Sequence, residues 1–156
     1  MYGLSKNIRK YFGFITKPGF GAIQPALKRL EKQNFLKSGT FFTDGGKACC
    51  YYSITDEGIR LLVRKIKEKP SRNPVRFLPL VKIKLLCSDI LEQEERSEFY
   101  KMIGNYITSL CTEAEKSLDI DNDFCRKNIV SGTIDEYKRL IELTGRLEHA
   151  GNGSFG

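Results

Sequence analysis

At 156 residues, with 40% hydrophobic and 29% charged residues, the chain has the composition of one ordinary globular domain or two small ones sharing a core. No apolar run approaches the roughly 18–20 residues that a membrane span needs, and the N-terminal MYGLSKNIRKYFG lacks the apolar stretch of a signal peptide. These absences argue against a membrane partner and read as a cytoplasmic protein. Lys+Arg number 26 against 19 Asp+Glu, a net of +7. The excess is uneven: residues 1–69 carry 14 basic and 5 acidic side chains (net +9), and residues 70–156 carry 12 and 14 (net −2). A basic half joined to a near-neutral half suggests a polyanion-binding module attached to something else, against the plainer alternative that basic surface serves only solubility.

The first predicted element is a helix over Gly3–Phe12, with Leu4, Ile8 and Tyr11/Phe12 on one face. Gly13 and Lys17-Pro18-Gly19 then punctuate the chain. A second helix follows in GFGAIQPALKRLEKQ, where Ile23, Leu27 and Leu30 recur at helical spacing. Pro25 restricts the start of that helix, since proline is tolerated where its missing N–H goes unused, in the first turn. The opposite face carries Gln24, Lys28 and Lys32, with Gly21 leading in. Two short helices, a compact turn and a polar, basic outer face on the second make a helix-turn-helix pattern.

Phe35–Leu36 and Phe41–Phe42 precede the turn signal Asp44-Gly45-Gly46. After it Cys50, Tyr52 and Ile54 alternate with Cys49, Tyr51 and Ser53, which predicts a two-stranded hairpin. Thr55 then offers an N-cap oxygen to the helix TDEGIRLLVRKIKEK, with acids in its first turn and lysines in its last. Helix, helix, hairpin, helix is the order of a winged helix. The stretch PSRNPVR, residues 70–76, carries two prolines and no periodic pattern, and places the domain boundary after residue 69.

Three amphipathic helices are expected in residues 70–150. Leu80, Ile83, Cys87 and Ile90/Leu91 share one face, Phe99, Ile103, Tyr106 and Leu110 a second. Tyr137, Leu140/Ile141, Thr144 and Leu147 make a third, behind a capping box Thr133-x-x-Glu136. The tail GNGSFG, residues 151–156, reads as disordered. The fold class is therefore mainly α with a small β-hairpin wing, a winged helix-turn-helix followed by a helical domain.

The five cysteines, Cys49, Cys50, Cys87, Cys111 and Cys125, are odd in number and irregularly spaced, which argues against a disulfide framework. With no CxxC pair and a single histidine, His149, a four-ligand zinc site is not supported. Asp119–Asp123 resembles a calcium loop only superficially, because Phe124 stands where glycine is needed and Val130 where the bidentate Glu is needed. The run PGFGAIQ has Gln24 where a dinucleotide loop requires its third glycine. No nucleophile–base pair can be assembled from any region, so the chain reads as a non-enzyme needing no cofactor or metal. Adjacent strand residues point to opposite faces, so Cys49 and Cys50 cannot share a metal. One is expected to tuck inward beside Tyr52 and Ile54, leaving the other on the wing as a thiol that Lys47 could activate for redox sensing.

The runs FGAIQPALKRLEKQNFL and DGGKACCYYSITDEG, with NIVSGTIDEYKRLIELTGRLE near the end, resemble the PadR family of bacterial transcriptional regulators over nearly the whole chain. The first is close to that family's Gly-Thr-Ile-Tyr-Pro-Ala-Leu-x-Arg-Leu-Glu run, and the second fits its wing. The resemblance implies a homodimeric winged-helix protein binding double-stranded DNA, usually a repressor on a pseudo-palindromic operator, that dimerises through its C-terminal helices. Three departures qualify it. The family's first helix is absent, so Leu4, Ile8, Ile23 and Leu27 lose part of their cover unless a preceding or other segment supplies it. Ala22 and Gln24 replace the recognition-helix Thr and Tyr, and Ala48-Cys49-Cys50 replaces polar or basic wing residues.

On this reading Gly21, Gln24, Lys28 and Lys32 enter the groove, while Lys17 and Lys47 contact phosphates. Arg29 lies nearer the flank, where an intramolecular pairing is equally open. Dimerisation falls to Leu85, Phe99, Ile103, Tyr106, Leu110, Tyr137, Leu140 and Leu147. Phe99, Tyr100, Tyr106 and Tyr137 could instead line a pocket for a small-molecule effector, although core or dimer seam is the commoner role at this spacing. The alternative function is a winged-helix protein-interaction module without DNA binding, favoured by the weakly charged wing.

Overall fold

The chain forms α1 (Tyr2–Phe12), α2 (Phe20–Lys32), β1 (Leu36–Phe42), β2 (Ala48–Ile54), α3 (Asp56–Lys67), α4 (Pro74–Leu86), a single 3-10 turn (Ser88–Ile90), α5 (Gln93–Leu118) and α6 (Phe124–Asn152). The structure is a computed structural model and describes residues 2–71, 73–118 and 123–152. It is mainly α with one two-stranded antiparallel sheet, in winged helix-turn-helix order and followed by long helices. The chain divides into two compact units, Met1–Cys87 and Ser88–Gly156. This division falls later than the proline-rich stretch at residues 70–76. Pro74 is the first residue of α4. Proline is well suited to that position, because the N–H it lacks would have no partner in the first turn.

In the first unit Ile23 and Leu27 of α2 are buried, and Leu4, Ile8 and Phe12 of α1 are half-buried. Tyr11 does not join that face: it is exposed, with the Lys10 ammonium 4.9 Å from its ring centroid. Pro25 lies in the second turn of α2, beyond the first turn expected of it. The carbonyl four residues back belongs to Gly21, an exposed residue to which water has access. At its other end α2 closes through a left-handed Asn34 (φ 59°). The Phe35 N–H donates to the Leu30 carbonyl at 2.8 Å and the Asn34 N–H to that of Glu31 at 2.9 Å, a Schellman pair.

The hairpin register runs from Leu36 opposite Ile54 to Phe42 opposite Ala48. Thr43 and Lys47 close the turn through Thr43 N–H to Lys47 O at 3.0 Å, and Gly46 takes φ 72°, which glycine adopts without penalty. The end of β2 leads directly into a knot around Thr55. Its hydroxyl oxygen accepts from the Gly58 N–H at 3.0 Å, capping α3, and its hydroxyl donates to the Asn34 carbonyl at 2.6 Å. The Thr55 N–H donates to the Phe35 carbonyl at 3.1 Å. One side chain thus starts α3 and ties it to the end of α2. Thr55→Ala is expected to lower stability by about 1–2 kcal/mol, read as a reduced urea midpoint at unchanged m value.

In the second unit α5 and α6 pack against each other. Gly104 meets Thr144, and Glu115 pairs with Lys138 at 2.9 Å, so the helices run antiparallel. Ile103, Ile107 and Cys111 of α5 and Ile134, Leu140 and Thr144 of α6 are buried. A Cβ on Gly104 would lie 3.0 Å from the Thr144 Oγ1, so the missing side chain leaves room for that hydroxyl between the helices. The buried Thr144 hydroxyl is satisfied within its own helix by the Leu140 carbonyl at 3.0 Å and that of Ile141 at 2.9 Å. Tyr100 and Ser88 share a buried hydrogen bond of 2.8 Å.

The capping box expected at Thr133 does not form. α6 begins at Phe124, and the Asp123 carboxylate caps it by accepting the Arg126 N–H at 2.8 Å. Thr133 lies inside the helix, where its hydroxyl donates to the Ile129 carbonyl at 3.1 Å instead. The remaining acidic run, residues 119–122, lies outside the described residues. So do residues 153–156 of the expected tail, whereas α6 continues through Asn152. None of the described helices is long and apolar enough to cross a membrane.

Candidate nucleic-acid interface

The buried positions of α2, Ile23 and Leu27, fix which of its residues face outward. Gly21, Gln24, Lys28 and Lys32 fall within one stripe on the far side, and all four are exposed. Arg29 is exposed at the edge of that stripe. Glu31 is turned toward β1, where its carboxylate accepts the Ser38 hydroxyl. That contact holds the helix to the hairpin and takes the one acidic residue of α2 off the basic stripe. Lys17, in the turn before α2, is also exposed. Sequence reasoning passed over a second basic stripe on α1, where Lys6 and Arg9 are exposed opposite Leu4 and Ile8. Its signal is the three-residue step between the two cations, out of phase with the apolar face.

The wing presents more aromatic than cationic surface. Phe42 is 71% exposed, Phe41 49% and Tyr51 48%. The Phe41 and Tyr51 rings lie 6.3 Å apart at 45°, and the Tyr51 ring covers Gly39 so closely that a Cβ there would sit 2.5 Å from it. Lys47 is exposed and lines a cleft of about 560 Å³ between the first turns of α1, at Leu4 and Asn7, and the wing.

The two wing cysteines are placed opposite to expectation. Cys50, on the face of Tyr52 and Ile54, is exposed, and Cys49 is half-buried. Ile54, at the open end of the hairpin on the same face, is exposed as well. Tyr52 is half-buried, and its phenol is pushed above the usual range by burial and by the neighbouring Cys50 and Glu31. The described residues contain no group of three metal-ligating side chains.

Of the residues expected at a dimer seam, Phe99, Ile103 and Leu140 are buried within the single chain, leaving little surface for a second copy. Leu85, Tyr106, Leu110, Tyr137 and Leu147 are half-buried. The Tyr137 phenol is pushed up by burial and by nearby Glu136, Cys111, Glu113 and Tyr106.

No protein-family model and no curated protein matches the chain. Among solved structures, it is similar to Bacillus subtilis PadR in complex with operator DNA, at 16% identity and TM-score 0.43, covering 96% of this chain and 88% of that one. It is similar to smu.1604c of Streptococcus mutans UA159 at 14% identity and TM-score 0.41, covering 93% and 87%. Bacillus subtilis PadR in complex with p-coumaric acid gives 17% identity and TM-score 0.41, covering 97% and 89%. These are distant likenesses, and the function proposed below rests on the chain's own residues.

Proposed function

We propose that the chain is a PadR-like, sequence-specific DNA-binding transcriptional regulator, acting as a homodimeric repressor on a pseudo-palindromic operator. The supporting observation is the outward stripe of α2, where Gln24, Lys28 and Lys32 stand free of the core on the second helix of a helix-turn-helix. Gln24 has the donor and acceptor needed to read a base edge, and the flanking lysines supply charge against phosphate. Lys17 and Lys47 anchor the backbone, and Lys6 and Arg9 of α1 extend that footprint. Half-buried Tyr106, Leu110, Tyr137 and Leu147 are the surface the second unit offers to its copy. No catalytic role is assigned.

The test is fluorescence anisotropy on duplex fragments at two salt concentrations. If five or six phosphates are contacted, affinity falls by a power of about 5 in salt concentration. Failure to bind duplex at low salt overturns the reading.

The exposed aromatics of the wing favour a second reading, a winged-helix module that docks another protein. Exposed Phe41, Phe42 and Tyr51 are what a protein contact uses and what a phosphate contact does not. Substituting Phe42→Ser separates the two: DNA affinity is retained under the first reading, and partner capture is lost under the second.

A further inference from the structure

Tyr51 and Gly39 stand opposite each other in the hairpin, on the same face as Phe41. Strand side chains normally stand off the sheet, but the Tyr51 ring reaches across to the neighbouring strand. A Cβ built on Gly39 would lie 2.5 Å from both the Cζ and the phenol oxygen of Tyr51. The ring therefore lies along the sheet, in the space that the missing side chain leaves. Its other side is open to solvent, with Tyr51 48% exposed. Phe41 is exposed beside it, at 6.3 Å between centroids and tilted by 45°. Both rings line the cleft of about 560 Å³ together with Asn7 of α1 and Lys47.

The charge around these rings has one sign. Neither strand contains an acidic residue. Lys37 is exposed on the same face as Tyr51, diagonally across the pair and so about 7–8 Å from it by strand geometry. Lys47 is exposed at the other end of the rings, and α1, the opposite wall, carries Lys6, Arg9 and Lys10 with no acidic residue. Asn7 is exposed on that wall, and its amide both donates and accepts. An aromatic face open to solvent takes a planar ring, and cations around it select a ring carried on an anionic chain. An unpaired nucleobase meets both conditions, whereas the bases of an intact duplex are stacked on one another. A proline-rich peptide, another guest of exposed aromatics, is not selected by the surrounding lysines.

We propose that the wing binds an unpaired stretch of a nucleic-acid strand, with a base stacked on Tyr51 beside Phe41 and the adjoining phosphates on Lys37 and Lys47. Asn7, across the cleft, offers its amide to the edge of the base. Stacking of this kind tolerates any sequence, because every base has a π-face. The surface is separate from the Gln24, Lys28 and Lys32 stripe of α2, and stands whether or not that stripe binds duplex. Phe42 belongs to the opposite face of the hairpin and takes no part.

The test is fluorescence anisotropy of the full chain with a labelled thymidine oligonucleotide of about 12 nucleotides and an abasic strand of the same length. The abasic strand keeps the phosphates and lacks the bases, and the oligonucleotide is expected to bind about tenfold or more tightly than it does. Tyr51→Ala removes that preference and leaves duplex affinity within about twofold, a change too small for a lost stack. Tyr51→Phe, which keeps the ring, retains the preference. Gly39→Ala meets only the far end of the flexible Tyr51 side chain, so it folds, lifts the ring and weakens the oligonucleotide. The abasic comparison uses the unaltered chain and decides the question even where Tyr51→Ala disturbs the hairpin. The proposal is overturned if the abasic strand binds as tightly as the oligonucleotide, or if Tyr51→Ala and Gly39→Ala both bind the oligonucleotide unchanged. It also fails if free thymidine monophosphate binds as tightly as the oligonucleotide, or if a decaproline peptide displaces it. Lys28→Glu/Lys32→Glu, which strips duplex from α2, is expected to keep the preference for bases over the abasic strand, so the two surfaces fail separately.

Discussion

The double variant Lys28→Glu/Lys32→Glu is expected to lose duplex DNA by a factor on the order of 100 or more at moderate salt, since each groove or phosphate contact contributes about 1–3 kcal/mol. Reversal removes two attractions and adds two repulsions against the phosphates. The slope of log affinity against log salt should fall by about 0.9 for each phosphate that is no longer neutralised. Both side chains are exposed and stand apart from buried Ile23 and Leu27, so the urea midpoint should move little. Lys101→Glu, an exposed position on α5, gives a charge change of the same kind outside the basic unit. Equal loss of DNA in that control would mean that net charge, not the α2 stripe, drives binding. Unchanged affinity in the double variant would remove α2 from the interface.

Gly58→Val is expected to be the most damaging single change to the first unit. An added Cβ would lie 2.2 Å from the Phe35 carbonyl oxygen and 2.7 Å from the Ile54 Cγ1. The first obstacle is backbone, held by the Thr55 N–H and unable to swing aside as a side chain would. Relief requires α3 to move away from the start of β1, which breaks the cap on Thr55 and the tie to Asn34 together. A loss of about 3–4 kcal/mol follows, enough to leave a marginal unit substantially unfolded. Gly45→Val is the reference, because no atom lies within 4 Å of a Cβ built there. Comparable urea midpoints for the two variants would show that α3 accommodates the side chain and that the close approach is not needed.

What the sequence made legible was local. The turn at Asp44-Gly45-Gly46, the pairing of the two strands and the Thr55 cap all depend on residues a few positions apart, and each forms as read, although the inward and outward faces of β2 do not follow the alternation. The α2 stripe was legible for the same reason, since Ile23 and Leu27 fix the inward face by periodicity alone. Local signals also misled. Thr133-x-x-Glu136 has the residues of a capping box, but a threonine inside a longer helix satisfies its hydroxyl on the preceding turn, and spacing does not tell the two apart. Pro74 belongs to the stretch read as a domain boundary and is also the first residue of α4, because proline marks both a break and a first turn. Interactions across long separations left no trace. Lys84, whose ammonium donates to the carbonyls that end α3, looks in sequence like any lysine in an apolar run. Periodicity gave Phe99, Ile103 and Leu140 an apolar face without saying whether the covering surface is α5 on α6 or a second chain.

The tie between Asn34 and Thr55 has a consequence for how the first unit assembles. Its two ends are 21 positions apart, and the segment between them is the hairpin. A hairpin forms from local contacts within about 1–10 μs, and once zipped it brings its own ends together. The loop that Thr55 must close is then far shorter than the sequence interval implies, and the ordering cost of joining α2 to α3 has largely been met by the strands. Aromatic side chains that look wasteful on an exposed wing, Tyr51 over Gly39 beside Phe41, thereby favour the early event on which the helix junction depends.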